Sequence, residues 1–427
     1  MSEKEISQNL SEVLFKPKFN YPETSVISNS GTELTKVSDK LKTFGFMPDW
    51  YRPIHLFSWT LQGGNCLDIE EALANIATST KERSRPQCFD TVKEYGSGNW
   101  IYEFSAIGQR RLLKAKSAEE KNDLLDASHQ YRMAARYFAI AAYPYLRGDV
   151  LAADADLQSR RAYRSMFKCD PHNGELLEEQ IDIGQDKPVT GYLHIPDKNT
   201  VQPCLVLAGS YESHPCDFYR LYDNFLRERG IAMFTVEMPG QGASDKLNLN
   251  ANSSVVIEAA IRHLAKVSCI DSSNIAIMGL NIGANAAMRA AILNEKTVKA
   301  LVLITPAVNS LFTDSRILDN LPLCLRSLYA NRLGIDAGNW ESAKPLFKTL
   351  SLKTQGLLSS SGGCKVPCYT IEIDSSATTK EDLNLIRNNF SSCEVDEMKD
   401  INYSQFINKA FVKAFDFIKD KFSGQDS

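Results

Sequence analysis

Residues 275–291 read IAIMGLNIGANAAMRAA, and this stretch decides the fold. The apolar run IAIMG predicts a short buried strand, and the alanine-rich run that begins at Gly283 predicts a helix directly after it. Between them lies the pentapeptide GLNIG, residues 279–283, with Asn281 at its centre. A strand, a tight turn with two glycines and a helix are typical of a nucleophile elbow, Gly-x-Ser-x-Gly. Here asparagine stands where that pattern has serine.

Short apolar runs alternate with helical patterns on both sides of the elbow. The central runs are almost continuously apolar, as expected for parallel strands that are covered on both faces. Two earlier runs, 176–184 and 189–196, alternate apolar and polar residues and predict a hairpin with one face in water. Strands are predicted at 203–209, 231–239, 274–279, 299–305, 366–374 and 393–398, and helices at 217–229, 254–267, 283–293, 379–389 and 404–420. The pattern predicts an α/β fold with a mostly parallel, doubly wound sheet and an irregular insertion at 306–363.

The chain before residue 170 has a different character. Its first 40 residues are polar and predict an extended start, and from about 45 to 168 the helical period dominates. Helices are predicted at 68–78, along one long run at 119–146, and at 150–167, the last two forming a hairpin. We therefore predict an N-terminal, mainly helical domain over residues 1–170 and an α/β domain over residues 171–427.

Composition excludes several classes of protein. The 427 residues carry a net charge of −4, without the basic excess of nucleic-acid binders. No apolar run approaches the roughly 20 residues of a membrane span, and the polar start lacks the order of a secretory signal. The ten cysteines are scattered, which favours reduced thiols in a cytoplasmic protein. Cys364 and Cys368 have no second Cys or His pair beside them, so we expect no zinc or other metal, and no cofactor.

A second loop makes the fold assignment specific. The sequence EMPGQGAS, residues 237–244, follows a predicted strand, and α/β-hydrolases often carry a PGxGxS loop at this place. The two loops together predict an α/β-hydrolase fold. A serine hydrolase of this fold needs a nucleophile at the elbow, then an acid, then a histidine. Asp374, at the end of a predicted strand, fits the acid. All six histidines precede the elbow, the last being His263, so the usual Ser–His–Asp triad is absent.

The anion-stabilising half of such a site is still present in the sequence. The backbone N–H groups of Ser210, Tyr211 and Ile282 occupy the positions where this fold builds an oxyanion hole, at the N-terminus of the elbow helix. The amide of Asn281 is positioned to donate a further hydrogen bond, so the pocket suits a carboxylate or an ester carbonyl.

Glu212 and His214 lie in the same loop as these donors and supply an acid and a histidine near the pocket. Plainer interpretations stay open for each candidate. Glu212 and His214 fit a solvated loop, and Asp374 fits a strand-end turn or a helix cap. Asn281 also fits a residue that merely tolerates a strained turn.

The sequence resembles the FrsA family, the fermentation–respiration switch proteins. The resemblance rests on NLSEVLF near the start, on GSGNW at 96–100, on IAMFTVEMP, on GLNIGANAAMR and on LSLKTQGLLSS at 350–360. It implies a helical domain on an α/β-hydrolase domain, a carboxylesterase activity, and an interaction with the glucose-specific enzyme IIA of the phosphotransferase system. Members of the family often have arginine at the elbow centre, so Asn281 departs from the family pattern as well.

Two hypotheses about function follow. In the first, the chain is a slow carboxylesterase in which Glu212 or Asp374 activates a water molecule over the oxyanion hole, with Asn281 beside it. In the second, it is a non-catalytic regulatory protein on a hydrolase scaffold that binds a small ester or carboxylate and the enzyme IIA partner. A lyase that acts on a small acid is a third, more distant alternative.

Overall fold

The computed structural model describes residues 45–184, 188–358, 363–373 and 378–424. The extended start predicted for residues 1–40 and the acid predicted at Asp374 lie outside these ranges and stay predictions. Within the described ranges, no helix has the length and apolar character that crossing a bilayer requires.

Helices make up most of the described chain between residues 45 and 170. They are α1 (Leu56–Leu61), α2 (Cys66–Thr78), α3 (Trp100–Glu120), α4 (Leu124–Ala142) and α5 (Val150–Cys169). Each of the four longer helices starts after an Asn or Asp whose side chain accepts backbone N–H groups of the first turn: Asn65, Asn99, Asp123 and Asp149. These caps satisfy donors that a helix start otherwise leaves unpaired.

The predicted helices at 68–78 and 150–167 are confirmed, but the single run predicted at 119–146 is wrong. Helix α3 ends at Glu120, Asn122 adopts a left-handed φ of 58°, and Asp123 caps the new helix α4. The apolar residues that recur at three- and four-residue steps all lie in α4, so this period does not mark the three-residue turn before that helix: Tyr131, Ala134, Ala135, Phe138 and Ala141. The domain boundary at residue 170 stays a prediction.

The sheet confirms the predicted fold class. Its strands are β1 (Glu175–Ile181), β2 (Val189–Ile195), β3 (Gln202–Ala208), β4 (Ala232–Val236), β5 (Ile270–Leu280), β6 (Val298–Ile304), β7 (Cys368–Ile373) and β8 (Cys393–Met398). They pair in the order β1-β2-β4-β3-β5-β6-β7-β8. The hairpin β1–β2 is antiparallel and joins β4 antiparallel, and every later pairing is parallel.

Both faces of the sheet are buried, which explains the continuous apolar runs. In β3, Val206 faces one core while Leu205 and Leu207 face the other. The first core also contains α6 (Val255–Leu264), the elbow helix α7 (Gly283–Leu293) and the insertion. The second core contains α4, α5 and the C-terminal part of the chain. The helical hairpin therefore covers one face of the α/β sheet.

The insertion at 306–363 was predicted to be irregular, and that prediction is wrong. It contains α8 (Ser310–Thr313), α9 (Ser315–Asp319), α10 (Leu323–Arg332) and α11 (Trp340–Lys348). Helices α12 (Lys380–Asn389) and α13 (Tyr403–Ser423) complete the described fold. The helix predicted at 217–229 is a mixed segment, 215–229, of 3-10, α and π turns.

Candidate active site

The elbow forms as the sequence predicts. Strand β5 ends at Leu280, α7 begins at Gly283, and Asn281 between them has a left-handed φ of 49°. The N–H of Asn281 donates to the carbonyl of Ile304 at 2.9 Å, and its own carbonyl accepts from Ala284 at 3.1 Å. Asparagine adopts left-handed backbone more readily than most residues, so it suits this turn without acting chemically.

The two elbow glycines are required because other backbone approaches them closely. A Cβ on Gly279 would lie 2.5 Å from the Cα of Ala284, and one on Gly283 would lie 2.1 Å from the carbonyl oxygen of Gly209. Real Cβ atoms do not come this near to another heavy atom. The loop after β3 and the start of α7 therefore touch, as an oxyanion hole built from both requires.

Three backbone donors at this junction are unused. Within the described chain, the N–H groups of Ser210, Tyr211 and Ile282 donate to no protein atom. Ser210, Tyr211 and Ile282 are at most 7% exposed, so these residues are shielded from bulk water. The N-terminus of α7 adds a partial positive charge beside them. The structure thus brings together the three predicted anion-binding residues.

The side chain of Asn281 is exposed at the elbow. Its amide oxygen contacts the hydroxyl of Thr305, which follows β6 and is itself left-handed with a φ of 49°. The amide nitrogen has no partner in the described part of the chain. Asn281 is thus positioned to donate one hydrogen bond but supplies no nucleophile.

Glu212 lies on the same loop, two residues beyond Ser210. Its oxygen Oε2 is buried and has no hydrogen-bond partner in the described chain. Burial raises the pKa of Glu212 to about 7, although the Ser210 hydroxyl and the nearby charge of Arg332 act in the opposite direction. A carboxyl group that titrates near neutrality beside unused N–H donors is the arrangement expected of a general base. Glu212 as a whole is partly exposed, so its one buried oxygen distinguishes it from a fully solvated loop residue.

Other groups around Glu212 come from distant parts of the chain. The hydroxyl of Tyr143, after α4, and that of Tyr211 are buried without partners in the described chain. The negative charge of Glu212 contributes to the raised pKa values of Tyr143 and Tyr329, after burial. Unsatisfied buried polar atoms of this kind indicate bound water or a ligand.

Arg332, at the end of α10, joins the insertion to the Tyr211 loop and to the segment after α4. It is fully buried and donates to the carbonyls of Tyr211 at 3.0 Å, Tyr145 at 2.8 Å and Pro144 at 2.9 Å. Burial lowers the pKa of Arg332 to about 10, still above neutrality, so the guanidinium stays charged. Sequence analysis missed Arg332 and Tyr143, because no motif or period marks them.

His214 does not join this group, so its proposed reach into the pocket is wrong. Its Nε2 lies 2.9 Å from a carboxylate oxygen of Asp156, and its Nδ1 lies 3.2 Å from the sulfur of Cys216. The ring is fully buried and stacks on Tyr145. Although burial opposes protonation, the Cys216 and Asp156 contacts raise the pKa of His214 to about 10. The imidazole is thus held between Asp156 and Cys216.

An ion pair between Glu237 and Arg160 holds the PGQGAS loop in place. Glu237 is buried, accepts from Arg160 of α5 at 2.8 Å and also accepts the N–H of Ala243 at 2.8 Å. A Cβ on Gly242 would lie 2.2 Å from both the Arg160 guanidinium and the Glu237 carboxylate. Gly242, the second glycine of PGxGxS, is therefore needed because Arg160 of the helical hairpin packs closely against the loop at this position.

An open cavity of about 570 Å³ lies beside the end of α10. Residues 146–149 and 334–337 line most of it, together with Asn248 and Asn331. It contains neither Glu212 nor the elbow, so it is separate from the group of residues described above. Within the described ranges, no three His, Cys, Asp or Glu residues cluster as a metal site would require.

Comparison with known proteins identifies the family. Residues 5–423 match the family model described as esterase FrsA-like. The chain is 35% identical over 351 residues to an "Esterase FrsA" of Klebsiella pneumoniae subsp. pneumoniae, covering 82% of this chain and 84% of the relative. A protein of the same name from Yersinia enterocolitica is 35% identical over 356 residues, with the same coverage.

Solved structures show the same fold at low identity. The 2,6-dihydroxy-pseudo-oxynicotine hydrolase matches with a TM-score of 0.68 and 17% identity, over 87% of this chain and 97% of its own. AbyA5 matches with a TM-score of 0.61 and 16% identity, over 85% and 95% of the two chains. These likenesses support the α/β-hydrolase fold and carry no information about substrate.

Proposed function

The chain belongs to the esterase FrsA-like family, and from that membership and the site geometry we propose that it is a slow carboxylic-ester hydrolase. Family and fold support hydrolase chemistry in general. The finer proposal is that Glu212 acts as the general base and that water is the nucleophile. The single observation that carries it is the Glu212 oxygen Oε2, which is buried without a hydrogen-bond partner in the described chain, on the loop whose Ser210 and Tyr211 N–H groups are also unused.

In this mechanism the ester carbonyl oxygen lies against the N–H groups of Ser210, Tyr211 and Ile282. Ionised Glu212 takes a proton from a water molecule, whose oxygen attacks the carbonyl carbon. The resulting oxyanion is stabilised by the three N–H groups and by the start of α7. The protonated Glu212 then returns its proton to the leaving alkoxide. General-base assistance is worth about 10²–10⁴-fold, so turnover is expected to be slow.

Two further residues have proposed roles. The Asn281 amide donates a hydrogen bond to the bound ester or to the carboxylate product, since its nitrogen has no partner in the described chain. Asp374 follows β7, where this fold usually places its acid, and is proposed as a second acid beside the pocket. No metal or cofactor takes part in this proposal.

The test is hydrolysis of short-chain p-nitrophenyl esters by the purified chain and by Glu212→Gln. Glutamine keeps the shape of the side chain but cannot take a proton near neutrality. The matched control is Glu228→Gln, because Glu228 is exposed on the same connecting segment. We expect Glu212→Gln to lose about 10²-fold or more in kcat/KM, with Glu228→Gln unchanged. Equal turnover by all three proteins would refute the role of Glu212.

The pH profile gives an independent check. Since the pKa of Glu212 is about 7, the carboxylate form increases as pH rises through neutrality. The wild-type kcat/KM should therefore rise with a midpoint near pH 7 and level off above it. The residual rate of Glu212→Gln should lack that midpoint. A flat wild-type profile would contradict the proposal.

A second candidate is a non-catalytic regulator that binds the glucose-specific enzyme IIA. The observation that favours it is the absence of a serine at the elbow and of any histidine after His263. Calorimetric titration of the chain with purified enzyme IIA tests it, with bovine serum albumin as the control titrant. Saturable binding together with no ester turnover would favour the regulator, and absence of binding would remove it. We propose a cytoplasmic location, which the scattered cysteines of the sequence favour.

A further inference from the structure

Two cysteines face each other across the edge of the sheet, far along the chain from the elbow. Cys368 opens β7 and Cys393 opens β8, and the two are register partners in the parallel pair. Neighbouring strands lie about 4.7–4.9 Å apart, and register partners point to the same face. That spacing falls within the Cα separation of about 4.4–6.8 Å that a disulfide needs. The two thiols are close enough for each to shift the pKa of the other.

The two sulfurs have different surroundings. Cys368 is 1% exposed, whereas Cys393 is only partly buried on the edge strand. The hydrogen bond from Cys368 lowers the pKa of Cys393, with smaller contributions from Thr370 and the positive charge of Arg387. Burial raises the pKa of Cys368. An accessible thiolate in front of a second, buried thiol is the arrangement of a redox-sensitive pair.

We propose that Cys393 and Cys368 form a reversible redox site, in which a hydroperoxide oxidises Cys393 and Cys368 resolves the product to a disulfide. The Cys393 thiolate attacks one oxygen of the peroxide, the O–O bond breaks, and hydroxide or alkoxide leaves. The product is a sulfenic acid at Cys393. The sulfur of Cys368 then attacks the Cys393 sulfur, its proton goes to the departing oxygen, and water is released. The two sulfurs together lose two electrons, which reduce the peroxide.

The neighbouring Cys364 gives a matched control. It lies just before β7, is 4% exposed, and bridges Phe390 rather than a cysteine. It therefore shares the region and the burial of the pair but is not a register partner of either cysteine. The site depends only on the β7–β8 register and is independent of the proposed esterase activity.

The experiment uses the full chain in its native state. The protein is treated with hydrogen peroxide, remaining thiols are blocked with N-ethylmaleimide, and trypsin peptides are analysed without reduction. Cleavage after lysine and arginine places Cys368 in peptide 366–380, Cys393 in 388–399 and Cys364 in 354–365. Each of these three peptides holds one cysteine, so a linked pair identifies the bond unambiguously. We expect a 366–380/388–399 pair that dithiothreitol separates.

Rates of alkylation test the order of the chemistry. At pH 7 an unperturbed thiol of pKa 8.5 is about 3% thiolate, so a lowered pKa can raise the alkylation rate by up to about 30-fold. Iodoacetamide should modify Cys393 faster than Cys364 in the untreated protein. Cys393→Ser and Cys368→Ser should each abolish the linked peptide, and Cys364→Ser should retain it. If peroxide leaves the wild type without the linked pair, or Cys364→Ser also loses it, the proposal is wrong.

Discussion

The buried carboxyl of Glu212 makes a prediction about stability that does not depend on catalysis. The pKa of Glu212 is raised from 4.5 to about 7, so folding favours its neutral form. Below pH 4.5 the carboxyl is neutral in both the folded and unfolded chain, and the shift has no effect on stability. Above pH 7 the folded chain carries a buried charge that the unfolded chain holds in water. The wild type therefore loses stability as pH rises from about 4.5 to 7.

The size of this loss follows from the shift. A difference of about 2.5 pKa units at 1.36 kcal/mol each corresponds to about 3 kcal/mol as an upper limit. This value already includes the favourable attraction of Arg332. Glutamine in place of Glu212 keeps the shape and the hydrogen bond from Ser210 but cannot ionise. Glu212→Gln should therefore be more stable than the wild type at pH 8 and nearly equal to it at pH 4.5.

Calorimetric melting at pH 4.5, 6 and 8 measures the effect. With an unfolding entropy of about 2.1 cal/mol/K per residue, 3 kcal/mol over a chain of this length raises the Tm by about 3 °C. The difference between variant and wild type is the relevant quantity, because other titrating groups cancel in it. Glu228→Gln is the control and should show no pH-dependent difference. A Glu212→Gln variant that melts lower than the wild type at pH 8 would refute the assignment of a desolvated carboxyl.

Three further outcomes are expected. Gly283→Ala should lower the Tm by the equivalent of about 1–3 kcal/mol, although alanine normally favours a helix, because its Cβ would meet the Gly209 carbonyl; an unchanged Tm would contradict the close approach. The charged His214 stabilises the fold fully below pH 6.5 and less as pH rises to its folded pKa of about 10. The Tm advantage of the wild type over His214→Gln should thus shrink over that range, and a constant difference would argue against the pair with Asp156. Asn281→Ser should not react with a fluorophosphonate serine probe, since no histidine follows the elbow; labelling would reveal a base that reaches it.

The sequence predicted the elbow well because its evidence is local. A strand, two glycines and a helix occur within about twenty residues, and the contact between Gly283 and Gly209 follows from the fold that they specify. The three backbone donors could be named for the same reason, since their positions depend on the chain path and not on side chains.

The rest of the site depends on contacts that no local pattern encodes. Arg332 reaches Tyr211 from an insertion 121 residues away, and that insertion was expected to be irregular. Tyr143 directly follows helix α4, whose apolar period indicates only packing. The sequence placed Glu212 and His214 in one loop, but it could not show that one oxygen of Glu212 lacks a partner and that His214 pairs with Asp156. The partner of a buried charge is decided by tertiary structure.

The helical hairpin and the α/β sheet are joined at the site by buried charges. Each of three ion pairs has one member before residue 170 and one after it: Arg136–Asp217, Arg160–Glu237 and Asp156–His214. Removing one member of a buried pair commonly costs about 3–5 kcal/mol, because the other charge is left uncompensated. An α/β fragment beginning at residue 171 would retain Asp217, Glu237 and His214 without their partners. His214 lies in the loop that carries the proposed oxyanion hole, and Glu237 supports the PGQGAS turn. The predicted boundary at residue 170 therefore marks a change in secondary structure, whereas the proposed ester site requires the chain on both sides of it.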